Sequence, residues 1–367
     1  MSLDSEVLLQ LETPALVLDR GALERNIQCM AETGRQAGVA LRPHAKTHKS
    51  PHIALLQMRA GAVGIACATV AEAEALAAAG ITGLLITSPM MGAAKFDRLA
   101  RLNRNHGVTV VADDSAQVTG LLAALHPGDR RLRVAVDVDV GQARTGVTDL
   151  AAGVALARMI AAEPQLEFAG IQGFAGHAQH IIDPEGRKAA TARSAATLMS
   201  FAKALGGAGL PPDLITGSGT GTYGLDARGP YNELQVGSYV FMDADYARIK
   251  DERGQGLSFA PSLFALASVV STNRPGQVTV DAGTKALATN GPSPCVIIGA
   301  PNGTAYKFAG DEHGILTIPN GAPPPRLGAR VLIGATHCDP TVNLHRSFNL
   351  FENGNVEQWP ICGRYGD

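Results

Sequence analysis

Short β-rich runs alternate with helical patterns from residue 13 to residue 240, and helical patterning then nearly stops. These two observations predict an α/β protein: a (β/α)8 TIM-type barrel with a C-terminal β domain. The spacing supports it, because seven or eight strand–helix units fall within roughly 230 residues, as right-handed parallel crossovers closed on themselves require. A doubly wound open sheet is the alternative. It normally shows fewer repeats, and no dinucleotide-type glycine loop follows the first strand.

Residues 15–19 read as a strand and 20–38 as a helix, with Leu23, Ile27, Met30 and Ala31 as its apolar stripe and Gly38 as its end. Residues 39–42 form the next strand, with Lys46 just beyond it, and Ser50-Pro51 opens a helix. A strand at 62–67 leads to a helix that starts near Thr69 and closes at Gly80. Strand 84–87, a helix over 93–105 and strand 108–112 follow. In 132–140, Val134, Val136, Val138 and Val140 alternate with Ala135, Asp137 and Asp139, a clear strand pattern. A helix over 149–162, strand 166–174, a long helix over 184–205 and strands 214–216 and 233–235 complete the series. Later strands at 263–272, 277–281, 295–299, 305–308, 315–318 and 330–333 are parted by Gly and Pro. The barrel is assigned to residues 20–245. The β domain is assigned to 246–367, recruiting residues 1–19.

A formal net charge of -2 disfavours a nucleic-acid partner or an anionic membrane surface. No apolar run approaches the roughly 18 residues of a membrane span. The acidic start, Asp4 and Glu6, lacks the basic region of a secretory signal, so a cytoplasmic location is expected. Cys29, Cys67, Cys295, Cys338 and Cys362 are too scattered for a disulfide framework.

Barrel chemistry sits where strands end. Lys46, Thr69, Thr87, Asp113, Arg144, the histidines near 177 and the glycines near 217 all fall just after expected strands. Lys46 lies in Arg42-Pro43-His44-Ala45-Lys46-Thr47-His48-Lys49. An amine becomes a nucleophile at neutral pH through neighbouring positive charge or desolvation, and its usual target is an aldehyde. The alternative is a basic turn that binds an anion. Thr216-Gly217-Ser218-Gly219-Thr220-Gly221 offers backbone amides and hydroxyls to a phosphate. An amine and a phosphate loop together point to pyridoxal 5'-phosphate (PLP). Arg144 would face the phosphate, a substrate carboxylate or the pyridine nitrogen; the alternative is an ion pair with Asp137 or Asp139. His177 and His180 are candidates for proton exchange. His44 and Tyr231 complete the cofactor-binding set.

His337 and Asp339 stand two residues apart. On an extended segment both point one way, which suits two ligands of one divalent ion, with Cys338 turned away. His313 is a possible third contributor. The alternative is a buried His–Asp pair.

The chain resembles the group of D-threonine aldolases and eukaryotic-type D-serine dehydratases, which share an alanine-racemase-like barrel. The resemblance rests on the Arg42–Lys49 segment, on Gly141-Gln142-Ala143-Arg144-Thr145-Gly146-Val147, on the 216–221 loop, on residues 233–243 and on His337-Cys338-Asp339-Pro340-Thr341. It implies a PLP Schiff base on Lys46, an arginine near the cofactor nitrogen and a homodimer. Within the group, His-x-Asp goes with aldolases and manganese or another divalent ion (magnesium, cobalt or zinc), and His-x-Cys with zinc dehydratases. The resemblance therefore implies retro-aldol cleavage of D-β-hydroxy-α-amino acids to glycine and an aldehyde. The alternative is dehydration of D-serine or D-threo-3-hydroxyaspartate. Gln172 to His180 follows the aldolase pattern Gln-x-Tyr-x-Gly-x-x-Gln-His, except that Phe174 replaces the tyrosine; Ala175 stands where some relatives have histidine.

Overall fold

The computed structural model describes residues 6–366. The chain divides into two compact units. One takes the N-terminal segment through Cys29, Ser238–Arg248 and Gly256–Ile361. The other takes Met30–Gly237, Ile249–Gln255 and the residues from Cys362 on.

In chain order the strands are β1 (Ala15–Asp19), β2 (Ala40–Leu41), β3 (Ala66–Cys67), β4 (Leu84–Ile86), β5 (Val108–Ala112), β6 (Leu132–Asp137), β7 (Leu166–Gly173), β8 (Leu214–Gly217) and β9 (Glu233–Leu234). Strands β2 to β9 form one parallel sheet in the order β2-β9-β8-β7-β6-β5-β4-β3. Among the described residues no ladder joins its ends. A parallel bridge between His44 and Ala66, and amide bonds from Val63 to Leu41 O (2.9 Å) and Ala66 to Pro43 O (2.9 Å), bring β2 round to β3. The result is an incompletely laced eight-stranded barrel.

Crossover helices start where side chains satisfy their first amides. Thr69 Oγ1 accepts from Glu72 N (3.2 Å) ahead of helix Val70–Ala78, Asp149 from Ala152 N (2.9 Å) ahead of Leu150–Ala162, and Asp183 from Gly186 N (2.7 Å) ahead of Pro184–Gly207. Helix Ser115–Ala124 is absent from the sequence reading; Asp114 caps it, and its interior carries Thr119 and Gly120, which blur an amphipathic stripe. Strand β6 also stops three residues earlier than the valine alternation. Val138 and Val140 remain buried past its end, so burial prolongs the pattern beyond the ladder.

Inside the barrel, Leu85, Val111, Ala135 and Ala169 form a small apolar layer. Asp137 lies two residues beyond Ala135 and so shares its face. Gln172 Nε2 reaches Thr87 O (2.9 Å), from β7 to the end of β4, a span only the interior allows.

The other unit is built on a nine-stranded sheet. Its further strands are β10 (Leu263–Arg274), β11 (Gln277–Val280), β12 (Cys295–Ile298), β13 (Ala305–Phe308), β14 (Gly314–Thr317), β15 (Arg330–Gly334), β16 (Ser347–Glu352) and β17 (Asn355–Pro360). The order is β11-β14-β13-β12-β15-β10-β1-β16-β17, antiparallel throughout except for the β1–β16 pair. Val269, Val280, Leu316, Val331 and Ile333 anchor its larger core. Among the described residues, no helix is long and apolar enough to cross a membrane.

Candidate active site

Lys46 sits half-buried in a 3-10 turn, Ala45–Thr47, immediately after β2. Its amide donates to His44 Nδ1 (3.3 Å), and His44 Nε2 lies 3.0 Å from Thr87 Oγ1. Thr87 gives its hydroxyl hydrogen to Cys67 O (3.1 Å), so it accepts from His44. Both contacts demand a neutral imidazole protonated on Nε2. The expected crowding of Lys46 by positive charge is corrected by the structure. Arg42 pairs with Glu233 (2.7 Å) and donates to Gly83 O, while Lys49 pairs with Glu72. All four side chains are largely buried, and each cation faces a carboxylate rather than Lys46.

The loop after β8 is built for close approach. A Cβ on Gly217, Gly219 or Gly221 would lie 2.1 Å from Gly173 O, 2.5 Å from Gln179 Oε1 or 2.0 Å from Gln179 O. Buried Gln179 organises it, accepting from Gly221 N (2.9 Å) and donating to Thr222 Oγ1 (2.8 Å), which donates to Asp226 (2.5 Å). Burial pushes the Asp226 carboxyl up to about 6. Ser218 takes a left-handed conformation (φ 75°), and its buried Oγ faces Asp226 without a hydrogen bond of normal geometry. Among the described residues the Ser218 and Gly219 amides have no acceptor. This donor cradle fits a phosphate. Thr216 Oγ1 is instead engaged with Glu233 (2.8 Å), and Thr220 is buried. Tyr231 is buried under the loop; its hydroxyl donates to Gly173 O (3.0 Å), and burial raises its pKa.

A polar chain crosses the barrel from here. Gln235 Nε2 donates to Thr216 Oγ1 (2.9 Å) and Gln172 Oε1 (3.1 Å); Gln172 donates to Asp137 (2.9 Å), which also accepts from Thr145 (2.9 Å). Burial lifts Asp137 to about 6, against the lowering effect of those two hydrogen bonds. The sequence reading assigned no role to Gln172, Gln179, Glu72 or Asp226. A polar residue inside an apolar strand run, as with Gln172 and Asp137, was the available signal.

Arg144 is exposed and lies over the Phe174 ring (5.6 Å to its centroid), while the neighbouring Thr145 takes Asp137. His177 and His180 are exposed beyond β7, and His177 N donates to Gln142 Oε1 (2.5 Å). Thr69 serves as a helix cap, and Asp113 accepts from Gly146 N (2.8 Å) and Gln117 Nε2 (2.6 Å).

In the other unit, the extended His337–Asp339 geometry is corrected. His337 caps a helix, Cys338–Asn343, so Asp339 lies in its first turn rather than two residues along a strand. Asn290 Nδ2 lies 2.9 Å from His337 Nδ1, which puts the ring proton on Nε2; a cation at Nε2 requires the amide to turn its oxygen inward. Asp243, pushed up by burial, accepts from Cys338 N (3.0 Å) and feels both His337 and Asp339. Cys338 is buried, which raises its thiol pKa. His313 is exposed. Among the described residues, no group of three or more His, Cys, Asp or Glu is placed to hold a metal ion. His337 and Asp339 are two donor residues, short of such a group.

Comparison with known proteins matches the alanine racemase N-terminal domain family over residues 18–245 and a serine dehydratase domain over 262–351. The chain is 40% identical over 359 residues to the D-threonine aldolase of an Arthrobacter species, covering 97% of this chain and 94% of that one. It is 40% identical over 362 residues to the 3-hydroxy-D-aspartate aldolase of Paracoccus denitrificans, covering 97% and 92%. The crystal structure of D-threonine aldolase from Filomicrobium marinum superposes with a TM-score of 0.92 at 40% identity, covering 96% of each chain. The chain belongs to the alanine-racemase-like family of fold-type III PLP enzymes, in the group of D-threonine and 3-hydroxy-D-aspartate aldolases.

Proposed function

We propose that the protein is a PLP-dependent lyase that cleaves the Cα–Cβ bond of D-β-hydroxy-α-amino acids, D-threonine among them, to glycine and an aldehyde. The observation that carries the reading is the placement of the Lys46 turn and the Ser218–Gly219 donor cradle at one end of a parallel barrel, in a chain 40% identical to a D-threonine aldolase.

PLP, when bound, supplies the electron sink that such a scission requires. Lys46 would hold it through its aldehyde, and the Ser218 and Gly219 amides would hold its phosphate. Arg144 is assigned to the ring nitrogen and is kept in place by Phe174. Neutral His44 fixes the start of the Lys46 turn. His180, with His177 three residues before it, is assigned to take the proton from the substrate hydroxyl; both residues are exposed at the end of the barrel beyond β7. His337 and Asp339 are assigned to a divalent cation, manganese first, which would supply Lewis acidity. Two protein donors leave the rest of its shell to water or substrate. Homodimeric assembly in the cytoplasm belongs to the same reading, and light scattering on purified protein tests the dimer.

The deciding experiment incubates the PLP-loaded protein with D-threonine. Acetaldehyde and glycine are expected; ammonia and 2-oxobutanoate would replace the reading with a dehydratase. Lys46→Ala should lose both turnover and the visible absorbance of lysine-bound cofactor. Dialysis against EDTA should stop turnover and manganese should restore it; full activity after chelation would remove the cation from the proposal.

A further inference from the structure

The turn that carries Lys46 is held by residues far along the chain. Lys49 ends that turn in a left-handed conformation (φ 48°), a backbone state unfavourable for a residue with a Cβ. Such a state persists where surrounding contacts over-determine it, and four converge here. Lys49 N donates to Ala45 O (2.6 Å). Lys49 Nζ pairs with Glu72, a carboxylate only 3% exposed whose other oxygen accepts from Ala68 N (2.6 Å). The same Nζ donates to Gly363 O (3.3 Å). Finally, Cys362 N donates to Lys49 O (2.7 Å).

Gly363 has no room for a side chain. A Cβ there would sit 2.8 Å from Glu72 Cα and 2.9 Å from Glu72 N, and its φ is 70°. The segment is therefore wedged between the Lys46 turn and the start of helix Val70–Ala78. It also walls a cavity of about 360 Å³ together with Thr69, Ile86 and Ser88, at the barrel end where strand-end chemistry resides.

We infer that Lys49, Glu72 and Gly363 form a latch that sets the position of Lys46, which makes them positioning residues for the reaction. The inference rests on Lys46 being the cofactor lysine. The latch acts on catalysis because it fixes the one strained residue between the nucleophile and the next helix. Released, Lys49 returns to an ordinary backbone conformation and carries the turn with it.

The test titrates PLP into apoprotein for wild type, Glu72→Gln, Gly363→Ala, Lys49→Met, Lys49→Arg and Lys46→Ala, and records the visible band of lysine-bound cofactor at saturation, steady-state kinetics and melting temperature. Glu72→Gln and Gly363→Ala should each weaken PLP binding by about tenfold or more, dim or shift the saturated band, and lower kcat more than they raise KM. The double variant should be no worse than its worse single, because both break one device. Lys49→Arg should restore most of what Lys49→Met loses. A saturated band of wild-type position and intensity in Glu72→Gln and Lys49→Met, with or without a lower melting temperature, overturns the latch while leaving the Lys46 reading intact. A wild-type protein that never shows the band overturns both.

Discussion

Asp137→Asn tests the electrostatics of the barrel interior. Burial moves this carboxyl from 3.8 to about 6. The shift corresponds to a penalty of about 3 kcal/mol on the charged form. Below the unfolded value the group is protonated in folded and unfolded chain alike and costs nothing. Between 3.8 and about 6 the unfolded chain releases its proton first, so stability falls as pH rises. Above that window the whole penalty stands. Asparagine carries no charge at any pH. Its oxygen can keep the hydrogen bond from Gln172, and its amide can donate to Thr145 Oγ1. The variant should therefore match wild type near the acid end of the window and exceed it by up to about 3 kcal/mol above it. For a unit of roughly 220 residues that is a rise of about 6 °C in melting temperature. Thermal melts of both proteins at a series of pH values, followed by circular dichroism, measure it. A difference that stays flat with pH, or a variant less stable in neutral buffer, refutes the reasoning.

Other changes separate loop, pair and core. Gly221→Ala puts a Cβ 2.0 Å from Gln179 O, so the loop must shift and PLP affinity should fall by about tenfold or more in an absorbance titration. Glu233→Ala strands the buried Arg42 guanidinium and should cost about 3–5 kcal/mol, seen as a lower denaturation midpoint. Phe201→Ala empties a site 2% exposed on helix Pro184–Gly207 and should cost about 3–5 kcal/mol by the same measure, leaving the substrate KM of the surviving protein unchanged.

The barrel was legible because its strands are buried on both faces and its helices are capped by short polar side chains that sequence displays. Thr69 and Asp149 mark real helix starts. The β domain was less legible. The hairpin β16–β17 was missed although Asn353-Gly354, both with positive φ, is a strong turn signal between Phe348-Asn349-Leu350 and Val356. The site was legible where a residue type announces chemistry, as at Lys46 and the 217–221 glycines. It was illegible where a role depends on the partner. Nothing in the Arg42–Lys49 string says that its two outer cations face Glu233 and Glu72, residues placed opposite them only by folding. Likewise, the His337-Cys338-Asp339 spacing says strand or helix equally well, and Pro340 in the first turn was the overlooked cue for a helix.

The lacing of the barrel has a mechanical consequence. Among the described residues seven neighbouring strand pairs share ladders, but between β2 and β3 only the His44–Ala66 bridge and the amide bonds of Val63 and Ala66 do the closing. A cylinder tacked along one short stretch gapes there first. The amide hydrogens of Val63 and Ala66 should consequently swap with deuterium sooner than those between β6 and β7. Lys46 lies two residues from that tack, so a bulky ligand arrives beside the part of the wall that yields while the rest of the cylinder stays shut.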